Sequence, residues 1–155
     1  MTGAWRQESL FAASLPGLER AWRRESDAAL AACGLSVGTA LPLVAIGRLG
    51  DGIRQVELAE ALAIEEASIS PVLTQLGTAG LVERRPDSRD RRANTLHLTA
   101  AGTATARQAE AALATVRRRL LARVDPADLA AALRVFHAIE KSVGRSWLPP
   151  ARERP

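Results

Sequence analysis

Cysteine occurs once in the sequence, at Cys33, so no disulfide can close within the chain. A lone thiol without an export segment fits a reducing compartment, and a cytoplasmic location is expected. The opening stretch, MTGAWRQESLFAASLPG, sets charges and a proline where a secretory leader needs an unbroken apolar run. Long apolar runs are missing elsewhere too. The longest, Ala40–Gly47, falls far short of the ~20 residues that cross a bilayer. Tyrosine is absent and aromatics make up 3 %, so aliphatic side chains and alanine must fill the core. The two histidines, His97 and His137, are 40 residues apart with no second metal-type ligand at a suitable spacing, which speaks against zinc. No glycine-rich phosphate loop, nucleophile motif or carboxylate cluster is present. An enzyme is therefore not expected, and no cofactor or metal is implied.

Lysine is nearly absent as well: Lys141 is the only one, so the positive charge is almost wholly arginine. Arginine makes planar, forked contacts with phosphate. The formal net charge is +4 and the sequence pI about 10.8. That balance favours an anionic partner without choosing between nucleic acid and membrane. Hydrophobic residues are 47 %, enough for a core, and the weight of alanine and leucine favours helix.

Leu15, Leu18, Trp22, Ala29 and Leu30 recur at helical steps and predict a first helix from about Ser14 to Ala32, stopped at Gly34, with Leu10 and Phe11 either beginning the same element or leading into it. Ser36 is a suitable N-cap for a second helix, VGTALPLVAIGRL, in which Pro42 predicts a kink or a late start. The GDG at 50–52 breaks the chain, or forms the tip of a short β-pairing with Ile53. Two short amphipathic segments follow. Val56, Leu58, Ala59 and Leu62 define one; Ile69, Val72, Leu73 and Leu76 define the next, which ends at Gly80. Two short helices joined by a tight turn make a helix-turn-helix unit. The second presents Ser68, Ser70, Thr74 and Gln75 outward, small polar groups able to meet base edges or phosphates.

LVERR and NTLHLT then form the arms of a hairpin around the loop PDSRDR. From Glu83 to Asn94 this segment holds five arginines and two aspartates. A basic hairpin directly after a helix-turn-helix is a wing, and an arginine on it can enter a narrow minor groove. Arg92 is the candidate for that role, braced by Asp90, with Arg89 and Arg91 toward phosphates or water. The same arginines also fit a merely solvated hairpin. Thr99 caps a long helix to about Val124, and Asp125 with Pro126 opens a last one to about Val143 or Trp147. The chain is expected to be mainly α with a small β-hairpin wing. Residues 36–99 would form the winged helix-turn-helix lobe, 14–34 and 100–147 a helical dimerisation region, and 148–155 a disordered tail. Apolar stripes on helices that project from so small a lobe imply a second copy.

The stretch LAEALAIEEASISPVLTQLGTAGLVERRPDSRDRRANTLHLTAAG resembles the MarR family of transcriptional regulators. The likeness rests on Gly80–Arg85, on Asp90–Arg92 at the wing tip, and on Leu98, Thr99 and Gly102. Helix order agrees from about Leu15 to Val143, and RAWR at Arg20–Arg23 with Ala63–Ile69 looks most like the SlyA branch. The resemblance implies a homodimer of winged helix-turn-helix lobes on a pseudo-palindromic duplex, with half-sites about one turn apart. It also implies repression, with release by small aromatic acids or phenols bound between the dimerisation helices and the DNA-binding lobe. Many relatives carry a DNA-contacting arginine at the position of Pro71, so direct readout here would pass to Ser68, Ser70, Thr74 and Gln75.

Other residues keep two readings. Gln55 caps the third helix or donates to a phosphate, and Arg48 and Arg54 are further candidates for the DNA backbone. Arg20 and Trp22, with Thr39, Leu43 and Ile46, are candidates for the effector pocket, since an arginine beside an apolar cleft suits an aromatic carboxylate. The plainer reading makes Trp22 core and Arg20 a salt-bridge partner. No basic residue stands near Cys33 in the chain, so redox sensing is not favoured. The competing function is a winged-helix protein-interaction module that does not touch DNA.

Overall fold

The computed structural model describes residues 2–50, 52–87, 90 and 93–144. Helix α1 spans Thr2–Leu30, and a 3-10 turn over Ala31–Cys33 leads to α2, Val37–Leu49. A short strand β1, Ile53–Arg54, precedes α3, Gln55–Leu62, and α4, Glu66–Thr78. The hairpin is β2, Val82–Pro86, and β3, Asn94–Leu98; α5, Ala100–Leu120, and α6, Pro126–Val143, follow. The molecule is mainly helical with one three-stranded antiparallel sheet in the order β1-β3-β2. Ile53 pairs with Leu96 on one side of β3, and Val82 with Leu98 through Pro86 with Asn94 on the other.

Local chemistry accounts for most boundaries. Thr99 accepts the Gly102 N–H at 2.9 Å and caps α5, and Asp125 accepts the Ala127 N–H at 2.7 Å ahead of Pro126. At the start of α2, Thr39 Oγ1 accepts the Ser36 N–H at 3.0 Å. Asp27 reaches across from α1 to accept the Val37 N–H at 2.6 Å, which ties the two helices together. Gly34 ends the first segment at φ 68°, a left-handed conformation that glycine adopts without strain.

Three boundaries differ from expectation. Helix α1 begins at Thr2 rather than near Ser14 and runs through Pro16. The proline removes one backbone hydrogen bond, but this stretch is exposed, so water can satisfy the freed carbonyl. Helix α2, by contrast, spans the expected VGTALPLVAIGRL after Ser36 and contains Pro42, so of the two outcomes expected at the proline a late start does not occur. Strand β2 extends through Pro86, one residue into the expected loop. Helix α5 stops at Leu120, where Leu121–Val124 turn toward the Asp125 cap. The segments named in the sequence as Trp147 and 148–155 lie outside the described residues.

Two apolar clusters share α2 as a common wall. One packs Leu43 and Ile46 of α2 against Leu58, Ile69, Leu73, Leu76, Val82 and Leu96, and so fixes α3, α4 and the sheet. The other joins Leu30, Ala40, Val44, Ala109 and Leu113 across α1, α2 and α5. Each fully buried leucine or isoleucine contributes about 1.5–3 kcal/mol. The ends of the chain are different. On α6 only Glu140 is buried, while Leu133, Val135, Ile139 and Val143 stand exposed. On the first half of α1, Trp5, Leu10, Leu15 and Leu18 are exposed too. The rings of Phe11 and Phe136 meet at 6.5 Å and join the two helices. No single helix among the described residues is long and apolar enough to cross a membrane.

Candidate nucleic-acid interface

The surface is built from α3, α4 and the β2–β3 hairpin. Ala63, between α3 and α4, takes φ 54°, and the Ala63 and Ile64 N–H groups donate to Glu60 and Ala59 carbonyls at 3.0 Å. This closes the tight turn of the helix-turn-helix at a left-handed position that costs an L-residue about 1–2 kcal/mol. Ile69, Leu73 and Leu76 point into the core at three- and four-residue spacing. The opposite face of α4 leaves Ala67, Ser68, Pro71, Thr74, Gln75 and Thr78 exposed, with Ser70 half-buried beside them. The Thr74 hydroxyl donates to the Ser70 carbonyl at 3.1 Å, and the Thr78 hydroxyl to the Thr74 carbonyl at 3.0 Å.

Gln55 is the first residue of α3, and its side-chain amide donates to Glu66 at 3.4 Å, linking the starts of α3 and α4. Capping falls to Glu57, which accepts the Arg54 N–H at 2.6 Å. Gln55, Glu66, Arg84 and Asn94 line an open cleft of about 420 Å³ between the two helix starts and the sheet.

At the base of the wing, Asp87 is 8 % exposed and accepts from Arg54 Nε at 2.7 Å, with Arg54 Nη2 at 2.6 Å from the same oxygen. The hydrogen bond and charge of Asp87 raise the Arg54 pKa above its ordinary value, and the charge of Asp90 adds to this. The Asp87 N–H donates to Ala93 O at 3.0 Å and the Ala93 N–H to Asp90 O at 2.9 Å, which closes the hairpin. Sequence reasoning assigned the brace to Asp90, with Arg92 or a neighbour as its partner, and did not single out Asp87. Arg92 lies outside the described residues, as do Arg89 and Arg91. Arg85 pairs with Glu83 on its own strand, and Arg84 is exposed.

Arg48 and Arg54, offered by the sequence as backbone contacts, both hold ion pairs. Arg48 meets Glu110 at 2.6 Å, and Arg117 meets the other oxygen of the same carboxylate at 3.0 Å. Burial alone would push the Glu110 pKa up, but the hydrogen bonds and charges of Arg117 and Arg48 outweigh it and hold the carboxyl below its usual range. This three-residue bridge fastens α2 to α5, and Arg119 with Glu25 at 2.6 Å fastens α5 to α1.

The five effector-pocket candidates are spread over two helices. On α1, Arg20 is exposed and Trp22 half-buried. On α2, Thr39 is buried with its hydroxyl engaged in the helix cap, and Leu43 and Ile46 are enclosed in the first cluster. Neither wing-side cleft is lined by any of them. Gly102 is a structural residue whose reason the sequence did not disclose. A Cβ there would lie 1.9 Å from the Leu81 carbonyl oxygen, so only glycine lets α5 start against the strand entry.

A helix-turn-helix with a hairpin packed beside its second helix is a winged helix-turn-helix, and the model of the MarR family matches residues 41–93. The crystal structure of transcriptional regulator PA3341 is 32 % identical over 86 % of this chain and 98 % of that one, with a TM-score of 0.75. On this ground the chain belongs to the MarR family of transcriptional regulators. The fold is also shared with MarR family transcription regulator SP03579, at 23 % identity over 93 % and 95 % of the two chains and a TM-score of 0.82. It is shared again with the organohalide-sensing regulator RdhR-CbdbA1625 in its 2,4-dichlorophenol-bound form. That pair has 17 % identity over 88 % and 80 % of the chains and a TM-score of 0.81.

Proposed function

We propose that the protein is a cytoplasmic, homodimeric, sequence-specific DNA-binding regulator of the SlyA-like branch, a repressor released by a small aromatic or phenolic ligand. The observation that carries the DNA-binding reading is the exposed face of α4 beside an arginine-bearing hairpin anchored to the start of α3. Each lobe, residues 36–99, lays α4 in a major groove. Gln55, Ser68, Ser70, Thr74 and Gln75 face that groove or its phosphates. Arg89, Arg91 and Arg92, with Asp90, serve the flanking minor groove. Binding that leans on guanidinium–phosphate contacts falls steeply with salt.

The dimer is supported by α6, a helix that buries one carboxylate and leaves four aliphatic side chains exposed, next to the exposed apolar half of α1. Residues 14–34 and 100–147 form the dimerisation region in this reading. The ligand reading draws on the dichlorophenol-bound relative. Arg20 and Trp22 supply a cation and an aromatic wall, and Thr39, Leu43 and Ile46 the inner side of a pocket that opens by repacking of α2.

The test is a selection of binding sites from random duplexes with the full chain, followed by sedimentation of the free protein and by titration of the complex with phenols and aromatic acids. A pseudo-palindromic site bound by a dimer and released by one of these ligands is expected. A monomer that enriches no duplex would favour a winged-helix protein-interaction module instead.

A further inference from the structure

We infer that α4 reads its half-site through thymine methyl groups, so that the centre of each half-site is A·T pairs. This rests on the DNA-binding reading above and adds the base chemistry that the helix face selects. Helix α4 is EASISPVLTQLGT, and its only charged residue, Glu66, is turned to Gln55 at 3.4 Å. The core side is fixed by Ile69, Leu73 and Leu76. At 100° per residue, the direction opposite them is occupied by Ala67, Pro71, Thr74 and Thr78, all exposed. Two of the four have no polar side-chain atom. The other two are threonines whose hydroxyl protons are donated to carbonyls of their own helix, at 3.1 and 3.0 Å. A threonine hydroxyl has one proton to give, so neither has a donor left for a base in this conformation.

The middle of the face therefore consists of a methyl, a proline ring and two threonine side chains with engaged donors. In the major groove the only apolar feature of a base pair is the thymine C5-methyl. An A·T pair under this face offers its methyl against the loss of water from N7 and O4, whereas guanine would lose water from O6 and N7 with no side-chain donor and no methyl contact in return, which is costly. At the edge of the same face stands Gln75, exposed, whose amide matches N6 and N7 of adenine in a bidentate pair. Methyl contact and amide pairing thus select the same kind of base pair. The arginine-rich hairpin supplies the complementary charge for the flanking phosphates, which leaves α4 free to carry no cation.

The experiment starts from a duplex enriched in a random-site selection with the full chain. Thymines in the half-sites are replaced one at a time by deoxyuridine, which lacks only the methyl. Affinity is read by fluorescence anisotropy for the wild type, Thr74→Ser and Thr74→Val. Each contacted methyl is expected to be worth about fourfold in Kd. Thr74→Val, which keeps the methyl and loses the hydroxyl, is expected to bind within twofold of wild type. Thr74→Ser, which keeps the hydroxyl and loses the methyl, is expected to bind about fourfold more weakly and to lose its sensitivity to deoxyuridine at one position. Half-sites with G·C centres, or deoxyuridine duplexes bound as tightly by the wild type as their thymine parents, would overturn the inference while leaving DNA binding intact. So would loss of binding by Thr74→Val with Thr74→Ser unaffected. Failure to enrich any duplex would instead remove the DNA-binding reading, and this inference with it.

Discussion

A methyl group added at Gly102 is expected to destabilise the protein even though it improves helix propensity. Glycine inside a helix costs about 1 kcal/mol relative to alanine, so on propensity alone Gly102→Ala would be a gain. The added Cβ, however, would lie 1.9 Å from the Leu81 carbonyl oxygen and 2.8 Å from its carbon. Ordinary carbon–oxygen contact needs about 3.3 Å, so the first turn of α5 must retreat by roughly 1.4 Å. That turn is pinned to the same strand entry. The Thr99 N–H donates to Leu81 O at 3.1 Å and the Thr99 hydroxyl to Gly80 O at 2.7 Å. Overpacking costs about 1–3 kcal/mol, and each strained hydrogen bond about 1 kcal/mol. With both hydrogen bonds strained and the propensity gain subtracted, the net loss is about 2–4 kcal/mol. For a chain of this size that lowers Tm by roughly 4–16 °C. Thermal unfolding followed by circular dichroism measures it, with Gly38→Ala as the control. Its added methyl meets only Ser36 Oγ, at 3.7 Å, and it is expected to hold or raise Tm. A Gly102→Ala variant that melts at or above the wild-type temperature would refute the steric reasoning.

Two further outcomes follow from the ion pairs. Because the folded Glu110 pKa lies below the usual 4.5, its bridge to Arg48 and Arg117 stabilises the fold above that pH and is lost as pH falls through the lowered folded value. Glu110→Gln is therefore expected to be less stable than wild type at pH 7, with the gap closing below pH 4.5; an equal gap in urea unfolding at pH 7 and at about pH 3 would contradict this. Asp87→Ala releases Arg54 and loosens the wing from the start of α3. About three- to tenfold weaker operator binding is expected, with most of the thermal stability kept; unchanged anisotropy titrations would show that the brace does not set the wing.

What could be read from the sequence, and what could not, divides by the distance over which the cause acts. The caps Thr99 and Asp125, the stop at Gly34 and the arms of the hairpin are decided by residues within a few positions of one another, and each was legible. The start of α1 was not. Pro16 is a local breaker, but an exposed helix loses only one hydrogen bond to it, so the helix continues back to Thr2. The candidate site divides in the same way. Helical spacing identified the outward side of α4, yet nothing in TQLGT reveals that Thr74 and Thr78 turn their hydroxyl protons to their own backbone. Asp87 and Asp90 sit three residues apart in one basic loop and look equivalent as sequence. Only the pairing of β1 with β3 brings Arg54, 33 residues away in the chain, beside the first of them. Arg48 and Arg54 were legible as cations, while Glu110 and Asp87 became their partners only through tertiary packing. Charge in this chain is therefore used in two ways. Arginines opposite a buried or half-buried carboxylate hold elements together: Arg48 joins α2 to α5, and Arg54 joins α3 to the wing. The outward face of α4 carries no cation; on the reading proposed above, its base selectivity comes from methyl contact and the Gln75 amide rather than from a guanidinium.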